Sequence, residues 1–273
     1  MVGVKFEGRL GNQIFQYVFL QYLKSRRKGI FYFFSNPHHA YLQKYFDLGG
    51  YENFTLSSKP YSAITRFLPA IFKLKEVFIH NWVAPKPFLV TNFIHYKGYF
   101  QSAYYYEQIK PNIQLKLKSR YVNEFNLQFG ELFKNNKIVV VHIRRTDYIS
   151  YGERRKRDIS LPMSYFKDRL AAIENISDYK VIFVSDDMKY VKDFFPIQSN
   201  YLFSNNSEII DFQILQNADI SIISNSTFAW WACYLSPKKN IVYGPKNWFG
   251  FKIGREHPKG IMTEKFIWCD AIS

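Results

Sequence analysis

Four short segments carry residues whose chemistry packing alone does not explain. The first is His142-Ile143-Arg144-Arg145-Thr146-Asp147-Tyr148. Two arginines beside an aspartate can grip an oxyanion, because a guanidinium offers parallel N–H donors that match phosphate. An exposed arginine–aspartate pair is worth little by itself. What favours a site is position, since the segment lies where the apolar run 138–143 ends. Alternation along an extended chain implies that one of Arg144 and Arg145 meets a ligand while the other braces the loop.

The second segment, Ser185-Asp186-Asp187, follows the apolar run 180–184. A carboxylate there could accept the paired N–H donors of guanine, the two could hold a divalent cation, or one could cap the next helix. The expectation is that one aspartate caps and the other is free for ligand. The third, Ser224-Asn225-Ser226-Thr227-Phe228-Ala229-Trp230-Trp231, opens a helix with small polar residues. Free N–H groups and the helix dipole would make a phosphate cradle, and capping by Ser224 or Asn225 is the plainer use. Phe228, Trp231 and Leu235 have core spacing, with Trp230 and Tyr234 on an adjoining face, so at least one tryptophan packs. The fourth is Gly11 with Asn12, a glycine that lets backbone approach a ligand and an amide that both donates and accepts.

For these segments to meet, the elements before them must deliver them to one edge. The run 138–143 reads as a strand buried on both faces. Helix 163–174 follows Pro162. Strands 180–184, 201–203, 220–223 and 241–243 then alternate with helices 187–195, 208–217 and 226–235. This pattern predicts a parallel sheet with crossover helices. In such sheets ligands sit beyond the carboxyl ends of the strands, where the first three segments fall. The amino-terminal half opens alike, with strand 2–5, a turn around Gly8 to Gln13, a helix from about 13 to 26 and strand 30–34. Residues 42–119 are broken by Pro60, Pro69, Pro85, Pro87 and Pro111 and show no clear period. They are expected to hold small helices that shape an acceptor cleft. The overall expectation is an α/β chain of two Rossmann-like domains, 1–130 and 131–273.

Composition narrows the partners. A chain of 273 residues with 47% hydrophobic content can bury two modest cores and is not disordered. Its 19% aromatic residues can fill those cores or line sugar-stacking walls. A formal charge of +15 favours anionic partners, whether nucleotide phosphates, nucleic acid or an acidic membrane face. The compact run Arg154-Arg155-Lys156-Arg157 would suit an anionic or lipid-linked acceptor. A nucleic-acid-binding protein would fit the charge and leave the strand-end segments unexplained, so no nucleic acid is expected. Cys233 and Cys269 lack the spacing of a zinc site or a disulfide framework. The start Val2-Gly3-Val4-Lys5-Phe6 is unlike a signal peptide, and the uncharged stretch 220–237 is interrupted by Ser and Asn. The expected location is cytoplasmic, with peripheral contact to the anionic inner face of a membrane.

Taken together and in this order, Gly8-x-Leu10-Gly11-Asn12-Gln13-x-Phe15-Gln16-Tyr17 and the other three segments resemble the α-1,2-fucosyltransferases of glycosyltransferase family 11. Gly98-Tyr99-Phe100-Gln101-Ser102 and Gly244-Pro245-Lys246-Asn247-Trp248 are similar to further stretches of that family. The resemblance implies a GT-B fold, with two Rossmann-like domains facing each other across a cleft and the donor on the carboxyl-terminal one. It implies inverting transfer of L-fucose from GDP-fucose to the 2-hydroxyl of a terminal galactose, as in lipopolysaccharide O-antigen, with no metal or other cofactor required. By motif position Arg144 would hold the β-phosphate, His142 and Asp147 would brace its loop, and Asp186 or Asp187 would read guanine. Ser226 and Thr227 would bind phosphate, with Gly11, Arg145, Ser185, Asn225 and Phe228 also on the donor side, and Asn12 would face the reacting centre. Arg9 and Thr146 stand where members commonly carry glycine, as in the wider superfamily of α-1,6 and O-fucosyl enzymes. Inversion calls for a base on the acceptor hydroxyl. An aspartate beside two arginines, as Asp147 is, makes a poor one, and Glu7 or a phosphate oxygen are the alternatives.

Overall fold

The computed structural model describes residues 1–34, 41–113, 115–151 and 157–272. They form two compact units, one of residues 1–119 with 257–261, the other of 120–256 with 262–273. The division falls at the start of a helix over Ser119–Asn135, so the boundary expected at 130 lies inside that helix. A short return of the chain to the first unit, over 257–261, has no signature in the sequence.

The first unit contains β1 (Val2–Lys5), α1 (Leu10–Arg26), β2 (Phe31–Phe34), α2 (Tyr41–Tyr45), β3 (Phe46–Asp47), α3 (Gly50–Ser57), α4 (Lys59–Ile71), β4 (Lys75–Phe78), β5 (Ile94–Lys97), α5 (Ala103–Glu107) and β6 (Lys116–Leu117). Strands β2-β1-β5-β4 pair in parallel in that order, while β3 and β6 make a small antiparallel pair. The proline-broken middle therefore holds two strands of the sheet, not small helices alone. Short strands between loops have too few residues to show a period. Helix α1 starts at Leu10, three residues before the expected position, and is buried on nearly every side from Leu10 to Leu23. Its core neighbours are aromatic. Phe19 stacks on Phe100 at 3.8 Å between ring centres and meets Tyr105 edge-on at 4.9 Å, favourable arrangements for ring quadrupoles.

The second unit contains α6 (Ser119–Asn135), β7 (Lys137–Ile143), α7 (Met163–Ala171), β8 (Tyr179–Ser185), α8 (Met188–Phe194), β9 (Tyr201–Phe203), α9 (Glu208–Asn217), β10 (Ile220–Ile223), α10 (Thr227–Tyr234), β11 (Ile241–Pro245) and β12 (Ile267–Cys269). Every strand and crossover helix expected from the pattern is present, within a few residues at its ends. The sheet order is β12-β11-β10-β7-β8-β9, parallel throughout. Counted from β7, that is the 3-2-1-4-5-6 order of dinucleotide-binding folds read from the other edge, with the direction of winding reversing between β7 and β10. The central strand explains the apolar run, since Ile138 to Val141 have no exposed surface. The fold class is α/β, two parallel-sheet units of the Rossmann kind.

Candidate active site

Register sets the site. His142 of β7 pairs with Ile223 of β10, and Ile143 with Ser185 of β8, so the three strands end level. The next residues, Arg144, Ser224 and Asp186, thus emerge side by side at the reversal point, where open α/β sheets bind ligands. Ser224 is fully buried and locks the junction. Its N–H and its hydroxyl both donate to the His142 carbonyl at 3.0 Å, and its Oγ accepts the Arg144 N–H at 2.9 Å.

The loop after β7 is held from β8. Asp186 Oδ1 accepts the Arg145 N–H at 2.9 Å, and Oδ2 accepts the Thr146 N–H at 3.1 Å together with the Thr146 hydroxyl. Arg144 Nη1 lies 3.2 Å from Asp186 Oδ2. Burial alone would raise the Asp186 carboxyl, but the Thr146 hydroxyl and the Arg144 charge outweigh it and hold its pKa below the usual range. This revises the reading of the aspartate pair. Asp187 is the cap, its Oδ1 accepting the Tyr190 N–H at 3.2 Å. Asp186 is not left over for ligand, because the loop occupies both of its oxygens. Thr146, a departure from glycine, has a purpose here, since its hydroxyl adds a bond that glycine could not make.

The two arginines are held differently. Arg144 forms a bidentate pair with Asp147, both N···O distances being 2.8 Å. Burial works against its charge, and Asp147 and Asp186 more than restore it. Arg145 lies over the Tyr190 ring, 3.6 Å from its centre, with Nη1 3.6 Å from Asp187 Oδ2. Tyr190 is a participant that sequence reasoning missed. Its only signal was a place one turn into the helix that Asp187 caps.

On the other side of β7, Ser226 occupies the cap position of α10 with extended backbone, yet its hydroxyl makes no capping hydrogen bond. The Ser226 side chain thus leaves the start of the helix to its own backbone donors. Asn225 is buried, its Nδ2 donating to the Ile159 carbonyl at 3.0 Å, while its carbonyl accepts the Tyr148 hydroxyl at 3.0 Å. Asn225 Oδ1 and His142 Nδ1 are buried with no hydrogen-bond partner, an unusual state for polar atoms. Thr227 and Phe228 are half-buried, the Phe228 ring 5.4 Å from Phe212 and 6.1 Å from His142. Both tryptophans are packing residues, fully buried, with Trp230 stacked on Tyr234 at 4.4 Å.

His142 is kept neutral. Burial, with help from the Arg144 charge, lowers its pKa from 6.5 to about 4, and burial does the same to His95 of β5. A buried imidazole that resists protonation is a weak proton acceptor near pH 7. As pH falls below 6.5 the unfolded chain takes up protons that these two folded histidines refuse until about 4. Stability should therefore decline across that window. His142→Gln and His95→Gln should each flatten the decline, measured as urea midpoints against pH.

In the first unit the corresponding edge lies at β1 and β5. Gly8, in the turn after β1, has φ +75°, and a Cβ there would stand 2.5 Å from Asn12 Nδ2. Asn12 Oδ1 accepts from Gln101 Nε2 at 2.9 Å, which joins the two strand ends. Gln16 adds a second tie, accepting the Glu7 N–H at 2.8 Å and donating to the Gly98 carbonyl at 3.2 Å. The glycine the turn needs is therefore Gly8. Gly11 is a buried residue in the first turn of α1, not part of the loop. Gln101 and Gln16 were visible as family-like residues without a role. We expect Gly8→Ala to cost about 1 to 2 kcal/mol through the left-handed backbone alone and to displace Asn12, which a thermal melt and a donor-turnover assay would both register. Glu7 forms an ion pair with Lys5. Of the basic run, Arg154 to Lys156 lie outside the described residues, and Arg157 is exposed beside Tyr151.

The family model described as glycosyl transferase family 11 matches residues 1–257. The chain belongs to glycosyl transferase family 11. Among curated relatives this family 11 chain is 35% identical over 133 residues to the O-antigen biosynthesis glycosyltransferase WbnK of Escherichia coli, covering 46% of this chain and 44% of that protein. It is 26% identical over 167 residues to an Escherichia coli alpha-1,2-colitosyltransferase, covering 57% and 56%. Each match thus spans about half the length of the relative. Among solved structures, NodZ alpha-1,6-fucosyltransferase co-crystallised with GDP matches 86% of this chain and 92% of its own at a TM-score of 0.52 and 13% identity. Fucosyltransferase NodZ from Bradyrhizobium matches 86% of this chain and 93% of its own at a TM-score of 0.52 and 13% identity. At such identity the likeness is one of fold, the GT-B class expected from the sequence.

Proposed function

We propose that this family 11 protein transfers L-fucose from GDP-fucose to the 2-hydroxyl of a terminal galactose in a glycan, inverting the anomeric centre. The observation that carries the proposal is the junction at the reversal point of the second sheet. There a half-buried arginine, a serine-locked strand end and the amino-terminal end of α10 emerge level on adjacent strands. That is a site for a nucleoside diphosphate. As GDP departs, negative charge grows on its β-phosphate, and fixed donors that meet this charge best in the transition state lower the barrier. Arg144 is the charged donor in this reading, and the first-turn N–H groups of α10 are the neutral ones. Asp147 orients Arg144 through two parallel bonds and is not the base. Asp186 fixes the loop, and Asp187 caps α8. Asn12, aligned by Gln101, serves the acceptor-side unit.

Because arginine and helix N–H groups supply the positive potential, the reaction needs no metal. The deciding experiment incubates the protein with GDP-fucose and a panel of β-galactosides in EDTA, then assigns the product linkage by NMR. An α-1,2-linked fucoside is expected. No transfer, or a different linkage, would overturn the reading. The colitosyltransferase relative favours a second reading, the same linkage with colitose as the sugar, so GDP-colitose belongs in the donor panel.

A further inference from the structure

Helix α4 of the first unit sits inside out. It is a well-formed helix, opened by Ser58, whose Oγ accepts the Tyr61 N–H at 3.2 Å, and by Pro60 in its first turn. Its buried residues are Ser62 and Thr65. The Thr65 hydroxyl is satisfied within the helix, donating to the Tyr61 carbonyl at 2.9 Å. Its large apolar side chains face water instead, with Ile64, Phe67 and Ile71 exposed by 62%, 65% and 67%. At 100° per residue these three, with Pro60, form one stripe along the helix, opposite Ser62 and Thr65. Phe72, just past the helix end, is also exposed. Globular helices turn such a stripe inward, so its outward direction calls for an external apolar phase.

The charges around the stripe say which phase. From Lys59 to Lys75 the chain carries Lys59, Arg66, Lys73 and Lys75 and no Asp or Glu. All four cations are exposed. Lys59 and Arg66, two turns apart, lie together on one flank of the helix, between the stripe and the buried face. Exposed apolar and aromatic side chains bordered by cations are the pattern of a helix lying in the headgroup region of an anionic bilayer, with its apolar face inserted. We propose that α4 is a membrane-docking helix that binds anionic lipid surfaces. The overall charge of +15 acts in the same direction. Among the described residues no helix is long and apolar enough to cross a membrane, and this one would lie on the surface. The inference does not depend on which sugar the enzyme transfers.

The test is co-sedimentation of the purified protein with vesicles of phosphatidylcholine alone and of phosphatidylcholine with about 30% phosphatidylglycerol. The wild type should partition at least about tenfold more strongly onto the anionic vesicles, with the preference lost in high salt. The combined variant Ile64→Ser, Phe67→Ser and Ile71→Ser should lose about tenfold or more of that binding. Lys59→Glu with Arg66→Glu should abolish the preference for phosphatidylglycerol. Equal binding of the wild type to both vesicles would overturn the inference whether or not the variants fold. So would full binding by the folded triple variant, or sedimentation velocity showing that Phe67 instead holds two copies together.

Discussion

On the function proposed above, replacing Arg144 by alanine should lower turnover by about a hundredfold or more, the loss of about 3 kcal/mol that follows removal of one donor to a developing oxyanion, while the protein stays folded. The junction does not depend on this side chain for its shape. The Arg144 N–H bond to Ser224 is made by backbone, and Asp186 remains tied through the Arg145 and Thr146 N–H groups. Asp147 would be left without its bidentate partner, but it is half-exposed and water can solvate it. Arg144→Lys keeps the charge and loses the planar fork, so it should recover only part of the turnover. Turnover at saturating GDP-fucose, beside a thermal melt, decides the matter. A folded Arg144→Ala protein with near-normal turnover would remove Arg144 from the mechanism.

Asp186→Asn should do damage of a different kind. The carboxylate receives two backbone N–H groups and the Thr146 hydroxyl and also neighbours Arg144. An amide of the same shape turns an N–H₂ toward one of those donors. The expected loss is about 2 kcal/mol of stability, the scale of a hydrogen bond to a charged group. The loop 144–147 should loosen with it, seen as a raised KM for the nucleotide-sugar donor. The pH dependence distinguishes this from a general packing defect. The folded Asp186 pKa is lowered, so its contribution is full above the unfolded value of about 4 and is lost as pH falls through the folded value. Wild type and variant should therefore differ in urea midpoint at neutral pH and converge in acid. Parallel curves at every pH would mean that the ionised carboxylate is not what holds the loop.

The second unit was largely readable because its signals are local and strong. A strand buried on both faces must be largely apolar, and residues 138–143 are apolar but for His142. Each crossover helix begins at a proline or a polar cluster and ends before the next apolar run, so β8 to β11 fall where the pattern puts them. The middle of the first unit was not readable for the converse reason. β4 reads Lys-Glu-Val-Phe and β5 Ile-His-Tyr-Lys, four-residue strands with no apolar run or alternation long enough to distinguish them from loop. Helix α4 carries Pro69 in its interior and has its apolar face turned out. Periodicity can locate such a stripe, but not the side to which it faces.

Residue identity and order, by themselves, determined that this chain builds a parallel sheet with an arginine loop, an acidic pair and a Ser/Asn-rich helix start at successive strand ends. Covalent neighbours carry that information, since a strand's end and the loop after it are contiguous in sequence. What each side chain is occupied with was decided only by tertiary structure. Asp186 and Thr146 are 40 residues apart, Arg144 and Ser224 80, and Asn12 and Gln101 89. Strand order and register bring those pairs within hydrogen-bond reach. An aspartate that reads as free for ligand in the sequence becomes a brace because an adjacent strand sets the hydrogen-bond donors of the arginine loop level with it.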